Sequence, residues 1–334
     1  MKNSRLNFAV AIATIIGFFV SCNKEEIPEN TQTSLIEGKI ELVDGVLKFD
    51  SEATFENTLR QLINKQNSLD EWEKQFSGFT SMRAAFDKLS DKDLENIAVN
   101  ESNEGFEDLL IITESDGELE IRMNIDDLVL ATIANQHGLV LIDDYAYKIR
   151  YNTLYKIKES SLDKIVNIDN AKAQKLINTN EIESFPVSHQ YYDSELGNTE
   201  DEDFAKADRT CNKRYWKKKR KRLKGEQWTT NIGPLYSGAG ARTKHQKRSA
   251  RIWFRNKTKQ LRLKLNGSYT QYFEGIPITQ NVAEDSGWQN DDGREAYLFD
   301  FCINANCSFT INNLSSTHEC ICDDNNYLRC DIIF

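Results

Sequence analysis

Six consecutive cations, Lys217 to Arg222, constrain the fold of this chain more than any other stretch of its sequence. If the stretch forms a β-strand, alternation places three of the charges on each face. Burying several unpaired charges is costly, so we expect an edge strand or a protrusion. Three explanations stay open: pairing with an acidic part of the same chain, protection of an edge strand, or a site for anions.

Charge is divided unevenly along the chain, and the run of cations lies in the most basic part. Residues 23–208 carry 18 Lys/Arg and 40 Asp/Glu, a net charge of −22, whereas residues 209–334 carry 22 and 12, a net charge of +10. Residues 209–264 alone hold 20 cations and a single acid, Glu226. Such an imbalance informs on partners and long-range electrostatics rather than on fold.

The basic part is the strongest candidate for a binding site. Clustered Lys and Arg can bind a polyanion, and nearby aromatic rings can stack on sugars or bases. The expected partner is an acidic polysaccharide, lipopolysaccharide or nucleic acid. The predicted anion-binding residues are Lys217, Lys218, Lys219, Arg220, Lys221, Arg222, Lys244, Lys247 and Arg248, and the predicted stacking residues are Trp216, Trp228 and Trp253.

The amino terminus is typical of an exported lipoprotein. Lys2 and Arg5 precede the mostly apolar stretch Leu6 to Val20, which is short for a bilayer span but fits a signal-peptide core. Val20-Ser21-Cys22 resembles a lipobox, so we expect cleavage before Cys22 and lipidation of its sulfur; an uncleaved anchor helix is the alternative. Lys24, Glu25 and Glu26 resemble the surface-export signal of Bacteroidota lipoproteins. The expected location is the outer membrane, facing outward, with the lipid on Cys22 as the membrane contact.

Disulfides are the expected state of the cysteines other than Cys22, because export leads to an oxidising compartment. The sequence does not choose among the possible pairings. A zinc site is the alternative, but Cys302-x₄-Cys307 and Cys320-x-Cys322 do not form the usual Cys-x₂-Cys pairs, so we expect no metal. The disulfide candidates are Cys211, Cys302, Cys307, Cys320, Cys322 and Cys330.

Local patterns predict short helices and hairpins in the first part of the chain. Ile40 to Phe49 is expected to form a hairpin that turns at Asp44-Gly45. Ser51 and Ser81 are expected to cap helices, and Ser68 with Glu71 has the pattern of a capping box. Two short strands are expected between Leu139 and Arg150.

The later part of the chain has the period-2 alternation of half-buried strands, for example at Leu261, Leu263 and Leu265. The predicted architecture is therefore an α+β N-terminal part of short helices with small hairpins, followed by an all-β, sandwich-like C-terminal domain. The predicted segments are a signal peptide at 1–21, a lipidated tether at 22–36, an acidic α+β domain at 37–182, an acidic linker at 183–208 and a basic, Cys-rich all-β domain at 209–334.

Several motifs together resemble an uncharacterised family of Bacteroidota cell-surface lipoproteins. Besides the lipoprotein start, the motifs are Phe55…Trp72-Glu73…Phe79-Thr80-Ser81, Tyr147-Lys148-Ile149, Trp228-Thr229-Thr230-Asn231, Lys244-His245-Gln246-Lys247 and Ile252-Trp253. They are packing motifs that cover most of the chain after Cys22. The resemblance implies a location and an architecture, and it brings no known activity.

The function predicted from these features is a surface-anchored binding or adhesion module for an anionic glycan or another polyanion. The alternative is a structural envelope component whose basic face pairs within the chain or with a partner protein. A glycan-processing enzyme is third, because it needs paired carboxylates in a cleft. No His-Glu-x-x-His or Gly-x-Ser-x-Gly motif is present, so we expect no cofactor and assign no catalytic residue.

Overall fold

The computed structural model of this protein describes residues 38–188 except 116, then 209–273, 276–299 and 308–333. Gly38–Phe334 forms one compact unit. Several predicted features lie outside the described residues: the signal peptide, Cys22, the Lys24-Glu25-Glu26 segment, Cys302 and Cys307. Within the described residues, no helix has the length and apolar character needed to cross a bilayer.

Short helices and longer strands make up the unit. The helices are α1 Glu52–Ile63, α2 Leu69–Glu73, α3 Met82–Asp87, α4 Asp91–Asn100, α5 Leu128–Ile133, α6 Asp163–Val166 and α7 Asn170–Asn178. The strands are β1 Ile40–Val43, β2 Val46–Phe49, β3 Leu110–Ser115, β4 Glu118–Met123, β5 Leu139–Ile142, β6 Tyr145–Arg150, β7 Thr153–Lys158, β8 Glu183–Ser188, β9 Thr210–Tyr215, β10 Lys221–Ile232, β11 Tyr236–Ser249, β12 Ile252–Arg255, β13 Gln260–Phe273, β14 Ile276–Asp285, β15 Gly293–Phe299, β16 Ser308–Ile321 and β17 Tyr327–Ile333. The prediction of an α+β N-terminal region followed by a β-rich C-terminal region is confirmed.

Most of the local predictions in the first part are confirmed. β1 and β2 form the predicted hairpin, and its turn places Asp44 and Gly45 at positive φ. The hydroxyl of Ser51 accepts from the backbone N–H of Thr54, and Ser81 caps α3 in the same way. β5 and β6 are the two strands predicted between residues 139 and 150.

The capping box predicted at Ser68 and Glu71 is wrong. Ser68 ends a short 3₁₀ turn before α2, and its hydroxyl donates to the carbonyl of Lys65 at 2.9 Å. A capping box is instead present at the start of α4, where Ser90 and Asp93 satisfy each other's backbone N–H groups. The hydroxyl of Ser68 has a closer acceptor in the preceding turn, which the spacing alone did not reveal.

One long sheet joins the first and last parts of the chain. Its order is β1-β2-β5-β6-β7-β8-β10-β11-β12-β4-β3, while β9 also pairs with β10 and β15 with β11. The strand β8, which pairs with β7 and β10, is formed by the first six residues of the predicted linker. The two parts also share a hydrophobic core, in which Phe49 and Val129 lie with Trp228 and Tyr236.

A second sheet, in the order β14-β13-β16-β17, packs on the first. Leu263 and Leu265 from β13 meet Ala239 and Ala241 from β11 in the layer between the sheets. A disulfide between Cys211 on β9 and Cys330 on β17 connects the two sheets covalently. This predicted class of bond is confirmed for that pair, whereas Cys320 and Cys322 are not joined to each other or to another described cysteine.

Candidate functional site

Ten charged side chains form a buried network between the first and last parts of the chain. Most of the cations come from the strands β10 and β11, and most of the acids come from β4 and the residues after it. The network comprises Arg122, Arg222, Lys224, Arg242 and Lys244 with Glu118, Glu120, Asp126, Glu226 and Glu295. The network therefore contains five basic and five acidic side chains.

Glu226, the single acid of residues 209–264, lies at the centre of this buried network. Its carboxylate is 2.6 Å from Arg122, 2.8 Å from Lys224, 3.1 Å from Lys244 and 3.9 Å from Arg242. Burial alone would raise the pKa of this carboxyl, but the four cations hold the pKa well below its ordinary value. Glu226 is therefore ionised, and its negative charge lies among the four cations of the buried network that surround it.

Arg222 and Lys224 are fully buried on the central strand β10, which contradicts the expectation of an edge strand or protrusion for this part of the cationic run. Arg222 donates to Glu118 at 2.8 Å and to Glu120, and Lys224 donates to Glu120 at 2.6 Å. Two strands separate β10 from β4 in the sheet order, so these contacts require the sheet to curl. The curl brings acids to cations that would otherwise be too costly to bury.

Other predicted anion-binding residues also have acidic partners. Lys221 lies 2.5 Å from Asp323. Lys247 lies 2.8 Å from Asp91. Arg248 lies 3.8 Å from Glu118. Lys244 contacts Glu226 and Asp126 within the buried network.

Two of the predicted stacking residues are not accessible to a ligand. Trp253 is 0% exposed and Trp228 is 5% exposed. Trp253 instead lies under the guanidinium of Arg222, 4.2 Å from the carbon atom of that group to the ring centre. Trp228 packs edge-on against Tyr297 in the shared core. These tryptophans therefore stabilise the interior of the protein.

The turn between β9 and β10 is different, because its charged and aromatic side chains face solvent. Trp216 is 49% exposed, and Lys218, Lys219 and Arg220 are exposed as well; the side chain of Lys217 lies outside the described residues. Trp216, Lys218 and Lys219 have φ angles of 72°, 56° and 54°. Residues other than glycine rarely adopt this left-handed region, so the turn holds a costly conformation while presenting these side chains. We call Trp216–Arg220 the basic turn.

A cavity of about 300 Å³ lies beside the buried network, with walls from the α2–α3 region, β4, β11 and β15. Its charged walls are Arg83, Arg122, Arg242, Lys244, Arg255 and Arg294 together with Asp70, Asp87, Asp126, Asp291, Asp292 and Glu295. Arg255 lies 3.1 Å from Asp87, and Arg294 lies 3.0 Å from Asp291. Six basic and six acidic side chains therefore line this charge-lined cavity.

Acids of the charge-lined cavity differ in their pKa values. Burial raises the pKa of Glu295 to about 7 in spite of Arg242, and burial with the neighbouring Asp291 raises the pKa of Asp292 to about 6 in spite of Arg255. Asp126 is also buried, but Arg242, Lys244 and Arg122 hold its pKa below the ordinary value. Acids that titrate near neutral pH therefore lie beside one that stays ionised, a property often found at functional sites.

The charge-lined cavity was not predicted from the sequence. Its residues lie in separate segments from Asp70 to Glu295, and no local spacing relates them. In the adjoining buried network, Glu226 carried a recognisable pattern, because it is a single acid among twenty cations. That pattern marks a position where a negative charge is needed, but it does not identify the partners.

No protein-family model and no curated protein matches this chain. The chain is similar to the crystal structure of a DUF4848 family protein from Bacteroides thetaiotaomicron, with 13% identity, coverage of 89% of this chain and 100% of that chain, and a TM-score of 0.26.

Proposed function

We propose that this chain is a surface-anchored lipoprotein that binds a saccharide in its charge-lined cavity. The anchor rests on the sequence around Cys22 and the Lys24-Glu25-Glu26 segment, which support an outer-membrane location that faces outward. The single observation that carries the binding site is the cavity of about 300 Å³, whose walls hold six basic and six acidic side chains. This volume is at the lower end of the range found for small-molecule sites, about 300–1,000 Å³.

The composition of the walls favours a neutral ligand rich in hydroxyl groups. A hydroxyl both donates and accepts, so it can bond to a guanidinium and a carboxylate that lie side by side. Arg255 with Asp87 and Arg294 with Asp291 are two such pairs in the cavity wall. Each cation of the walls lies beside an acid of the walls, so a polyanion would have to compete with these acids for every cation. A saccharide has the required density of hydroxyl groups.

Calorimetric titration of the protein with neutral mono- and disaccharides tests this proposal. We expect at least one of them to bind, and Arg294→Gln to weaken its binding by about tenfold or more, the loss of one charge-assisted hydrogen bond. Arg251→Gln is the matched control, because Arg251 also pairs with a carboxylate but lies exposed and away from the cavity. Failure of every saccharide to bind, or equal binding by both variants, contradicts the proposal.

The same incubations should be checked for new reducing ends. Asp292 and Glu295 have pKa values of about 6 and 7, which suit a general acid at neutral pH. Appearance of reducing ends would identify a glycan-processing enzyme, and their absence with retained binding would identify a binding module.

Capture of an anionic glycan or another polyanion at the basic turn is the second candidate function. Among the described residues, Lys218, Lys219 and Arg220 are exposed and have no ion pair, in contrast to the cations on the adjoining strands. Exposed Trp216 lies beside them and has the ammonium of Lys221 5.0 Å from its ring centre. Three exposed charges beside an exposed ring suit phosphate or sulfate contacts supported by stacking.

Duplex DNA serves as a model polyanion for this second function. Each phosphate contact contributes about 0.9 to the slope of log affinity against log salt, so replacing the three cations with Gln should reduce the slope by about 2–3. A control variant removes the same number of exposed charges elsewhere, at Lys65, Lys88 and Lys92. Equal slopes for the two triple variants would exclude the basic turn as the site.

A further inference from the structure

Two unpaired cysteines and a histidine meet in a buried cluster where the two sheets join. His245 lies on β11, Cys320 lies on β16, and Cys322 follows the end of β16. All three residues are fully buried, and the ligand atoms of the three side chains lie within 4.8 Å of one another. We propose that His245, Cys320 and Cys322 form a structural site for Zn²⁺.

The imidazole of His245 is already oriented as a metal ligand. Its Nδ1 lies 2.5 Å from the carbonyl oxygen of Asn256, which can only accept, so Nδ1 carries the proton. The side-chain amide of Asn256 is farther from Nδ1, at 3.2 Å, and donates to the carbonyl of Lys257 at 3.0 Å. Metal-binding histidines commonly donate one ring N–H to a carbonyl in this way, which leaves the other nitrogen for the metal.

The other ring nitrogen, Nε2, faces the rest of the cluster. It lies 2.7 Å from the hydroxyl of Tyr215, and that hydroxyl also hydrogen-bonds with Cys322. Because Nδ1 donates to the carbonyl of Asn256, Nε2 keeps the lone pair that a metal ion requires. The hydroxyl of Tyr215 therefore contacts two of the three proposed ligands.

The sulfur atoms of Cys320 and Cys322 are 3.2 Å apart. A tetrahedral zinc site with Zn–S bonds of about 2.3 Å requires the two sulfurs to lie about 3.8 Å apart. The thiols therefore need to separate by only about half an ångström to admit the ion. Both side chains project from one end of β16 into the same cluster, so the change is local.

Charge balance favours a divalent ion in this environment. The walls of the cluster include Leu223 and Leu261, and Thr258 lies 3.4 Å from the sulfur of Cys320. A buried apolar cluster does not tolerate a net charge, and two thiolates neutralise one Zn²⁺. The same two thiolates around a monovalent ion would leave one negative charge buried.

The neighbouring disulfide gives independent support. Cys211 and Cys330 belong to the same hydrophobic cluster and are oxidised, whereas Cys320 and Cys322 beside them are free. Thiols that bind zinc are deprotonated and held by the metal, which protects them in a compartment where disulfides form. The spacing of the cysteines did not identify this site, because the His ligand lies far from the Cys320-x-Cys322 pair along the chain.

The test uses the full-length protein, purified with its metal content preserved and then stripped with a chelator and reloaded. We expect about one zinc per chain by elemental analysis, as in a structural site with one set of ligands. Replacement by Co²⁺ should give the thiolate-to-cobalt charge-transfer band and the intense visible bands of a tetrahedral site. Zinc should also raise the melting temperature, because only the folded chain assembles the ligands.

Variants separate ligation from a general loss of structure. Cys322→Ser and His245→Asn should lose the zinc and its stabilising effect, with melting temperatures equal to that of the stripped parent protein or lower. His318→Asn is the matched control, because His318 is also a buried histidine between the sheets but lies outside the cluster. It should retain the metal.

Two outcomes would overturn the proposal. One is a reloaded protein without stoichiometric zinc or without the thiolate–cobalt band, although the fold is intact by circular dichroism. The other is mass-spectrometric detection of a disulfide between Cys320 and Cys322 in the freshly purified protein, which would identify an oxidised pair in place of a metal site.

Discussion

Replacing Glu226 with Gln tests whether the buried network holds the two parts of the chain together. The substitution keeps the size of the side chain and removes its charge. Relative to the parent protein, the buried network then has one excess positive charge, and four cations within 4 Å lose a common partner. Removing one member of a buried ion pair costs about 3–5 kcal/mol. A loss of this size is a large fraction of the usual free energy of unfolding, about 5–15 kcal/mol.

Guanidinium unfolding followed by tryptophan fluorescence measures this loss, because Trp228 and Trp253 are buried. Glu101→Gln is the control: Glu101 pairs with Arg251, whose side chain is 68% exposed, and such surface pairs contribute about 0–1 kcal/mol. Adding Lys224→Met to Glu226→Gln removes the excess charge and should recover most of the stability. The reasoning is refuted if Glu226→Gln costs no more than the control, or if the second substitution adds a further loss.

Three further predictions concern the contact between the sheets. Gly225→Ala should lower the free energy of unfolding by about 1–3 kcal/mol, because a Cβ there would lie 2.3 Å from the ring of His318. Gly293→Ala is the control and should change this free energy little, since the atom nearest to its Cβ would be 3.8 Å away. Equal effects of the two substitutions would contradict this prediction. Burial lowers the pKa of His318 from 6.5 to about 4, so folding requires the neutral form of this side chain. The free energy of unfolding should therefore be unaffected by this group above pH 6.5 and should decrease by up to about 3 kcal/mol as the pH falls from 6.5 through 4. His318→Asn should therefore flatten the pH profile of unfolding in this range, and parallel profiles would exclude the effect. Replacing both Cys211 and Cys330 with Ser removes a bond that spans 119 residues and should cost about 2–5 kcal/mol by denaturant unfolding; an unchanged midpoint would argue against the pairing.

Local physical chemistry made parts of the fold predictable from the sequence. The hairpin at Asp44-Gly45 and the helix starts at Ser51 and Ser81 depend on residues that are neighbours along the chain. The capping box predicted at Ser68 was wrong, because the hydroxyl of Ser68 donates to the carbonyl of Lys65 in the preceding turn. The cationic run was assigned to an edge or a protrusion for a sound reason, the cost of burying charge, but the partners that remove this cost were not visible in the pattern.

The sequence by itself determined the composition of the two parts: one strongly acidic, the other basic with a single acid at Glu226. It also determined the alternation that makes strands and the turns that separate them. Only the tertiary structure decided which charges meet, because the contacts of Glu120 with Arg222 and Lys224 join residues more than a hundred positions apart. The same holds for the charge-lined cavity and for the cluster of His245, Cys320 and Cys322. These sites depend on how the long sheet curls and how the second sheet packs on it, and no short-range rule of sequence encodes that geometry.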